Sequence, residues 1–266
     1  MKKYKDLSTR EKYIRDEKKK KFWVIFFQIA ILVAFFGIWQ LLADVGAINV
    51  FVFSSPSKIV GTLGSLLSQG NLWHHIFVTF FEAFLAFLIA TALGFVIAIV
   101  LWWNVRLQSI FEPYLIVLNS LPKVALGPII IIWFGAGTKA IIVMAILIMI
   151  IVTTISLLNA FANCDNDKIL LMKSMGANKW QILTKLVVPN ALGEFMSVLK
   201  INVGLTWVGT IMGEYLVSKA GLGYLIVYGS QVFKLDLVMT SILLLCVLAG
   251  LMYGLVCLLG KLLKNL

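Results

Sequence analysis

Apolar residues along this chain gather into six runs of roughly 20, near positions 23–43, 75–102, 113–134, 138–158, 194–217 and 236–260, about the length a helix needs to cross bilayer hydrocarbon. In lipid every backbone N–H and C=O must be bonded within the protein, so the pattern predicts an all-α polytopic membrane protein with about six transmembrane helices. An even number of crossings puts both termini on one side. The first run stays as an anchor, because its flank is long and charged and Asp44-Val45-Gly46 is no small-residue cleavage site. Residues 1–21 read as a basic arm, and residues 22–266 as one transmembrane domain that includes a polar segment at 159–190.

Breaks in the pattern are as informative as the runs. The third run carries Pro113, Pro122, Gly127 and Pro128; prolines remove rungs from the helical ladder and free carbonyls that lipid cannot satisfy, which sets this run against protein or a water-filled path. Between the first two runs, Ser55-Pro56-Ser57 starts a short surface helix with Ile59, Leu63, Leu66 and Leu67 on one face. Small-xxx-small pairs at Gly209/Gly213 and Gly250/Gly254 are expected to bring the helices of the last two runs close together.

The segment from Leu170 to Pro189 is of a different kind. Asp165 and Asp167 offer cap and dipole chemistry for a helix over 166–175, Gly176 follows where a left-handed residue would end it, and a second short helix runs to Pro189. Each half is far short of a crossing, and Lys173, Lys179 and Lys185 would be costly in lipid, so the stretch lies outside the hydrocarbon. It reads as a docking element for another protein, or as an amphipathic linker resting on the bilayer.

Charge adds an orientation. Seventeen Lys and Arg fall on the face shared by the termini and the 159–190 segment, against Lys58, Lys139, Lys219 and Lys234 on the other, so the positive-inside rule places both termini and that segment in the cytoplasm. The net charge of +11 therefore reads as topology and contact with anionic lipid, not as nucleic-acid binding. With 61% hydrophobic and 13% charged residues and a mean hydropathy of +0.98, the chain lies far outside the soluble range.

Candidate chemistry is sparse. Glu82, Lys123, Glu194, Lys200 and Glu214 fall at or near membrane depth, where an unpaired charge costs several kcal/mol. Glu194 reads as solvated near the interface, and Lys123 either lines a path or satisfies carbonyls freed at Pro122. Lys200 and Glu214 stand about 21 Å apart along one helix, too far to pair, so their partners must come from elsewhere, Glu82 being one for Lys200. His74 and His75 read as headgroup contacts, Trp23, Trp73, Trp102 and Trp103 as an aromatic belt, and Cys164, Cys246 and Cys257 as packing residues. No catalytic or metal-ligand constellation and no phosphate-binding G-x-x-x-x-G-K-[ST] loop occurs. A membrane enzyme acting on lipid, or a passive channel, are the rival classes; the first should show clustered His, Asp or Glu, and the second has no use for a docking helix.

Several motifs together carry a family resemblance. The spacing from Gly176-Ala177 to Leu186-x-Val188-Pro189, with Ser54-Ser55-Pro56-Ser57-Lys58, Leu121-Pro122, Ile132-Trp133-Phe134-Gly135, Trp207, Glu214 and Gly221-Leu222-Gly223-Tyr224-Leu225 in order, resembles permease subunits of ABC importers, in particular the sulfonate, taurine and nitrate branch. The likeness covers nearly everything from about residue 39 onward. It implies the type I importer permease fold in a bacterial plasma membrane: a homodimer with two ABC ATPase subunits that bind ATP and Mg, an extracytoplasmic substrate-binding protein, and no cofactor in this chain. It also implies roles. Leu170, Lys173, Ser174, Gly176, Ala177 and Pro189 would couple to the ATPase; Pro122, Lys123, Lys200, Trp207 and Glu214 would shape the path or gate; Gly221, Gly223 and Tyr224 would face the binding protein. The chain departs from the family at Leu170 and Met172, where Glu and Ala are usual, and at Glu82 and Lys200, where Arg is usual. The implied cargo is a small polar solute, a sulfonate, taurine or nitrate or a vitamin or pyrimidine precursor.

Overall fold

A computed structural model describes residues 9–264, which form helices and connecting turns without a strand. Residues 1–64 and 65–266 are separate compact units. In the first, α1 (Thr9–Asp44) continues the basic arm directly into the first apolar run, and α2 (Val50–Phe53) and most of α3 (Pro56–Ser68) follow; residues 1–8 of the arm lie outside the described residues. No residue in the apolar window of α1 is buried. Gln40 ties the end of α1 to the start of α3, donating to Asp44 Oδ1 at 2.8 Å and accepting the Ser57 N–H at 3.0 Å. Pro56 opens α3 as expected, since its missing N–H would be unbonded in a first turn anyway.

The second unit is built on three long helices, α4 (Leu72–Trp103), α7 (Thr138–Ala162) and α11 (Leu192–Val217), each packed against the other two. Between α4 and α7 run α5 (Val105–Ser120), a 3-10 turn at Lys123–Leu126 and α6 (Gly127–Phe134). Between α7 and α11 run α8 (Asn166–Ser174), α9 (Lys179–Ile182), a π-helical turn at Leu183–Val187 and α10 (Val188–Asn190). The chain ends in α12 (Leu222–Gln231), packed on α13 (Leu235–Lys264).

Five helices are long and apolar enough to cross a membrane, and a sixth crossing is made if the bent pair over Val105–Phe134 counts as one span. That pair folds by 86° at the Leu121-Pro122 break, so the third run is two arms rather than one rod. The Lys123 ammonium donates to the Asn119 carbonyl at 3.1 Å, so of its two readings the structure displays the capping of a freed carbonyl. Pro189 does not end a helix as the pattern suggested. The wide π turn just before it accommodates the lost ladder bond, and the helical path continues to Val217 with a single turn residue, Ala191.

The glycine pairs behave differently from one another. A Cβ on Gly209 would stand 2.6 Å from the Ala145 Cα and one on Gly213 would stand 2.9 Å from the Ile141 Cα, so these two let α11 close on α7, not on the last helix as expected. Gly250 and Gly254 face open space. Cys164 is buried in a core where α4, α7 and α11 meet the 182–191 segment, and burial pushes its thiol pKa up, which suits a packing role.

Gly213→Val should lower the thermal midpoint of the purified protein, because backbone cannot give way as a side chain can and overpacking costs about 1–3 kcal/mol. Gly250→Val, facing open space, is the matched control and should leave the midpoint within error; equal losses from both would refute the α7–α11 contact.

Candidate functional site

Two arrangements bring together the residues singled out from the sequence. The first is the turn after α7. Asp165 caps α8 by accepting the Asp167 N–H at 2.9 Å, and α8 closes on Gly176 at φ +82°. Gly176 N donates to the Lys173 carbonyl and Ala177 N to the Met172 carbonyl, both at 2.9 Å, the paired bonds of a Schellman ending. Asn178 and Gln181 then cap α9 reciprocally at 2.8 Å each way.

The two halves of this segment are anchored unequally. Ile182, Leu183, Val187 and Ala191 are buried with Leu101, Leu157, Phe161 and Val198 in one core, joining the segment to α4, α7 and α11. Lys179 reinforces the join: its ammonium donates to the Trp103 carbonyl and lies 5.4 Å from the ring of Trp103, which in turn packs on Trp180. Trp102 and Trp103, expected in an aromatic belt, thus also hold this turn. By contrast α8 has no buried residue, and Leu170, Leu171 and Met175 are more than 60% exposed. Met172, Met175, Gly176, Ala177, Gln181 and Lys185 line an open hollow of about 280 Å³ between the halves. The arrangement is a rigid base carrying an exposed apolar edge.

The second arrangement surrounds Glu214, which is 1% exposed on α11. The Thr79 hydroxyl on α4 accepts the Leu222 N–H at 2.7 Å and donates to Glu214 Oε1 at 2.6 Å; the Gly223 N–H donates to Oε2. One carboxyl therefore holds α4, α11 and the start of α12 together, with the partially positive N-terminus of α12 facing the acid. Gly221 stands at φ +110°, and a Cβ on Gly223 would lie 2.6 Å from Glu214 Oε2. These glycines are required because the backbone closes directly onto the carboxylate.

The readings of His75 and Glu82 need correction here, and the other candidates find their places in the fold. Gly221 and Gly223 are buried against Glu214 and do not themselves present a surface to a partner; Tyr224 is half-buried, stacked between His75 and Tyr228. His75 accepts the Gly221 N–H on Nδ1 at 3.0 Å, so its role is to hold the turn rather than to meet headgroups. Glu82, 1% exposed, sits against Glu214 and not Lys200, which is exposed. Trp207 is buried in the packing of α11. Pro122 and Lys123 form the α5–α6 break. Glu194 edges an open polar hollow of about 370 Å³ with Asn159, Asn163 and Asn190. Thr79 was missed altogether: a threonine in an apolar helix carries no signal until its partner across the bundle is known.

Thr79→Val should destabilise the protein by on the order of 2–5 kcal/mol, since it strands both the Leu222 N–H and a carboxylate oxygen. Thr79→Ser keeps the hydroxyl and should cost far less. Thermal melts of both variants check this, and equal midpoints would contradict the relay.

Comparison with known proteins places the chain in a family. Residues 90–266 match the family described as binding-protein-dependent transport system inner membrane component. The chain is 30% identical over 229 residues to the riboflavin transport system permease protein RibX of Chloroflexus aurantiacus, covering 85% of this chain and 84% of that protein. It is 27% identical over 216 residues to the putative aliphatic sulfonates transport permease protein SsuC of Bacillus subtilis, covering 81% and 78%. Among solved structures, a chain of the inward-facing MetNI methionine ABC transporter superposes with a TM-score of 0.63 at 19% identity, covering 73% of this chain and 96% of that one. With its apolar helices and helix-Gly-helix turn in the matched region, the chain is a multi-pass membrane transport component and belongs to the binding-protein-dependent transport system inner membrane component family.

Proposed function

We propose that this chain is the permease subunit of an ATP-driven importer, working as a homodimer that opens a path alternately to each side of a bacterial plasma membrane. Two ABC ATPase subunits bind ATP and Mg and dock beneath it; an extracytoplasmic binding protein delivers a small polar solute above it. The observation that carries this reading is the asymmetry of residues 166–191. An exposed apolar edge at Leu170, Leu171 and Met175, with the hollow beside Gly176, suits insertion into a protein cleft, while the buried half fastens that edge to α4, α7 and α11. Motion of a docked ATPase would pass through Gly176 and Ala177 into the π turn and on to α11 without a flexible joint. Alternating access then needs only that nucleotide and binding protein favour different states of the bundle.

Permeases that carry sulfonates and riboflavin both resemble this chain, so the cargo is proposed only as a small polar solute, a sulfonate, taurine or nitrate or a vitamin or pyrimidine precursor, selected chiefly by the binding protein. Lys219, beside the buried Gly221 turn, is exposed and open to the binding protein. The charge distribution supports cytoplasmic termini and a cytoplasmic 166–191 segment.

Gly176→Pro tests the coupling. Proline cannot adopt φ +82° and lacks the N–H that bonds Lys173, so the edge should be misaimed while the buried half still folds. Uptake and substrate-stimulated ATP hydrolysis by the assembled importer should fall at least tenfold with expression unchanged; full stimulation would overturn the coupling role. Orientation is checked separately. In a chain with Cys164, Cys246 and Cys257 replaced by Ala, single cysteines at Lys179 and Lys219 should react with an impermeant maleimide from opposite sides of the membrane. Labelling of both from outside would contradict the orientation.

A further inference from the structure

Two carboxyl groups share the buried space beside Thr79, and their surroundings treat them differently. Both oxygens of Glu214 face donors: the Gly223 N–H can only donate, to Oε2, and the Thr79 hydroxyl, which accepts the Leu222 N–H, donates its proton to Oε1. Glu214 is thus solvated by donors on both sides, the environment of an anion. Glu82 lies against Glu214 and close to Thr138, yet its Oε2 is buried with no hydrogen-bond partner among the described residues.

No cation among the described residues balances the two. Neither glutamate has an ion-pair partner among the described residues. The titratable groups at the same end of the surrounding helices are His74 and His75 on α4, Lys139 on α7, Tyr215 on α11, Tyr224 and Tyr228 on α12 and Asp236 on α13, with Lys219 and Lys234 on the adjoining turns. Of these, His75 is occupied by Gly221 through Nδ1, and Lys139 and Lys219 are exposed. Two carboxylates side by side in a buried site cannot both stay ionised without such a partner.

We propose that Glu82 and Glu214 form a proton-binding site, a carboxyl pair holding a single proton in which Glu214 is the anion and Glu82 the acid. One proton removes the second buried charge. It also converts the unpartnered Oε2 of Glu82 from an acceptor into a donor toward Glu214, supplying what the orphaned oxygen lacks. No third His, Cys, Asp or Glu joins the pair among the described residues.

Infrared spectroscopy of the chain in lipid nanodiscs reads this directly, because Glu82 and Glu214 are the buried acids among the described residues and the other described carboxyls are at least partly exposed. The wild-type protein at neutral pH should show a protonated carboxylic acid carbonyl band, identified by its shift on isotopic labelling of glutamate, and Glu82→Gln should abolish it. Absence of the band from the wild type overturns the proposal without recourse to any variant, and a band that survives in Glu82→Gln overturns it too. Stability gives the second arm. Glu82→Gln keeps a neutral donor beside the anion and should hold the thermal midpoint, whereas Glu214→Gln sets an amide N–H₂ against Thr79 or Gly223 and should lower it. The reverse order would refute the assignment of acid and anion.

Discussion

A single buried carboxylate fixes the arrangement at one end of this molecule. Glu214 on α11 is reached by α4 through Thr79 and by the backbone of the turn that starts α12, so three elements distant in sequence are tied at one point. In an apolar surrounding an unsatisfied carboxylate is costly, and its donors must come from the protein itself. That requirement explains local choices that look arbitrary singly: a threonine inside an apolar helix, glycines at 221 and 223 where a Cβ would strike the acid, and a histidine at 75 accepting the next backbone N–H.

The other end is organised by burial rather than charge. There the π turn, α10 and the first turns of α11 share a core with the ends of α4 and α7, while α8 stays outside it. The Schellman ending at Gly176 sets the angle between the buried and exposed halves. Between the two ends, α11 runs as one helix, closely packed on α7 at Gly209 and Gly213. A displacement imposed at Met175 would therefore travel along a stiff element toward the Glu214 cluster, the physical basis for the proposed coupling.

Much of this was legible in the sequence where a local rule decides the outcome. Run lengths gave the long helices, Asp165 and Gly176 gave the limits of α8, and Pro122 marked a bend. Partner choice was not legible, because it depends on which faces meet. Gly209 and Gly213 serve α7, which no spacing rule announces. Glu82 turned toward Glu214 instead of Lys200 because α4 and α11 meet through the faces bearing Thr79 and Glu214, and opposite charge is no guide when helix packing has already set the neighbours. Pro189 lies within the helical path because a π turn absorbed its missing donor, a device that leaves no mark in composition.

The central claim is that the exposed edge near Gly176 seats an ATPase. A photocrosslinking amino acid placed at Met175 in the assembled transporter tests it most directly. The account predicts an adduct with the summed mass of this chain and the ATPase subunit; an adduct only with lipid or with a second copy of this chain would contradict it.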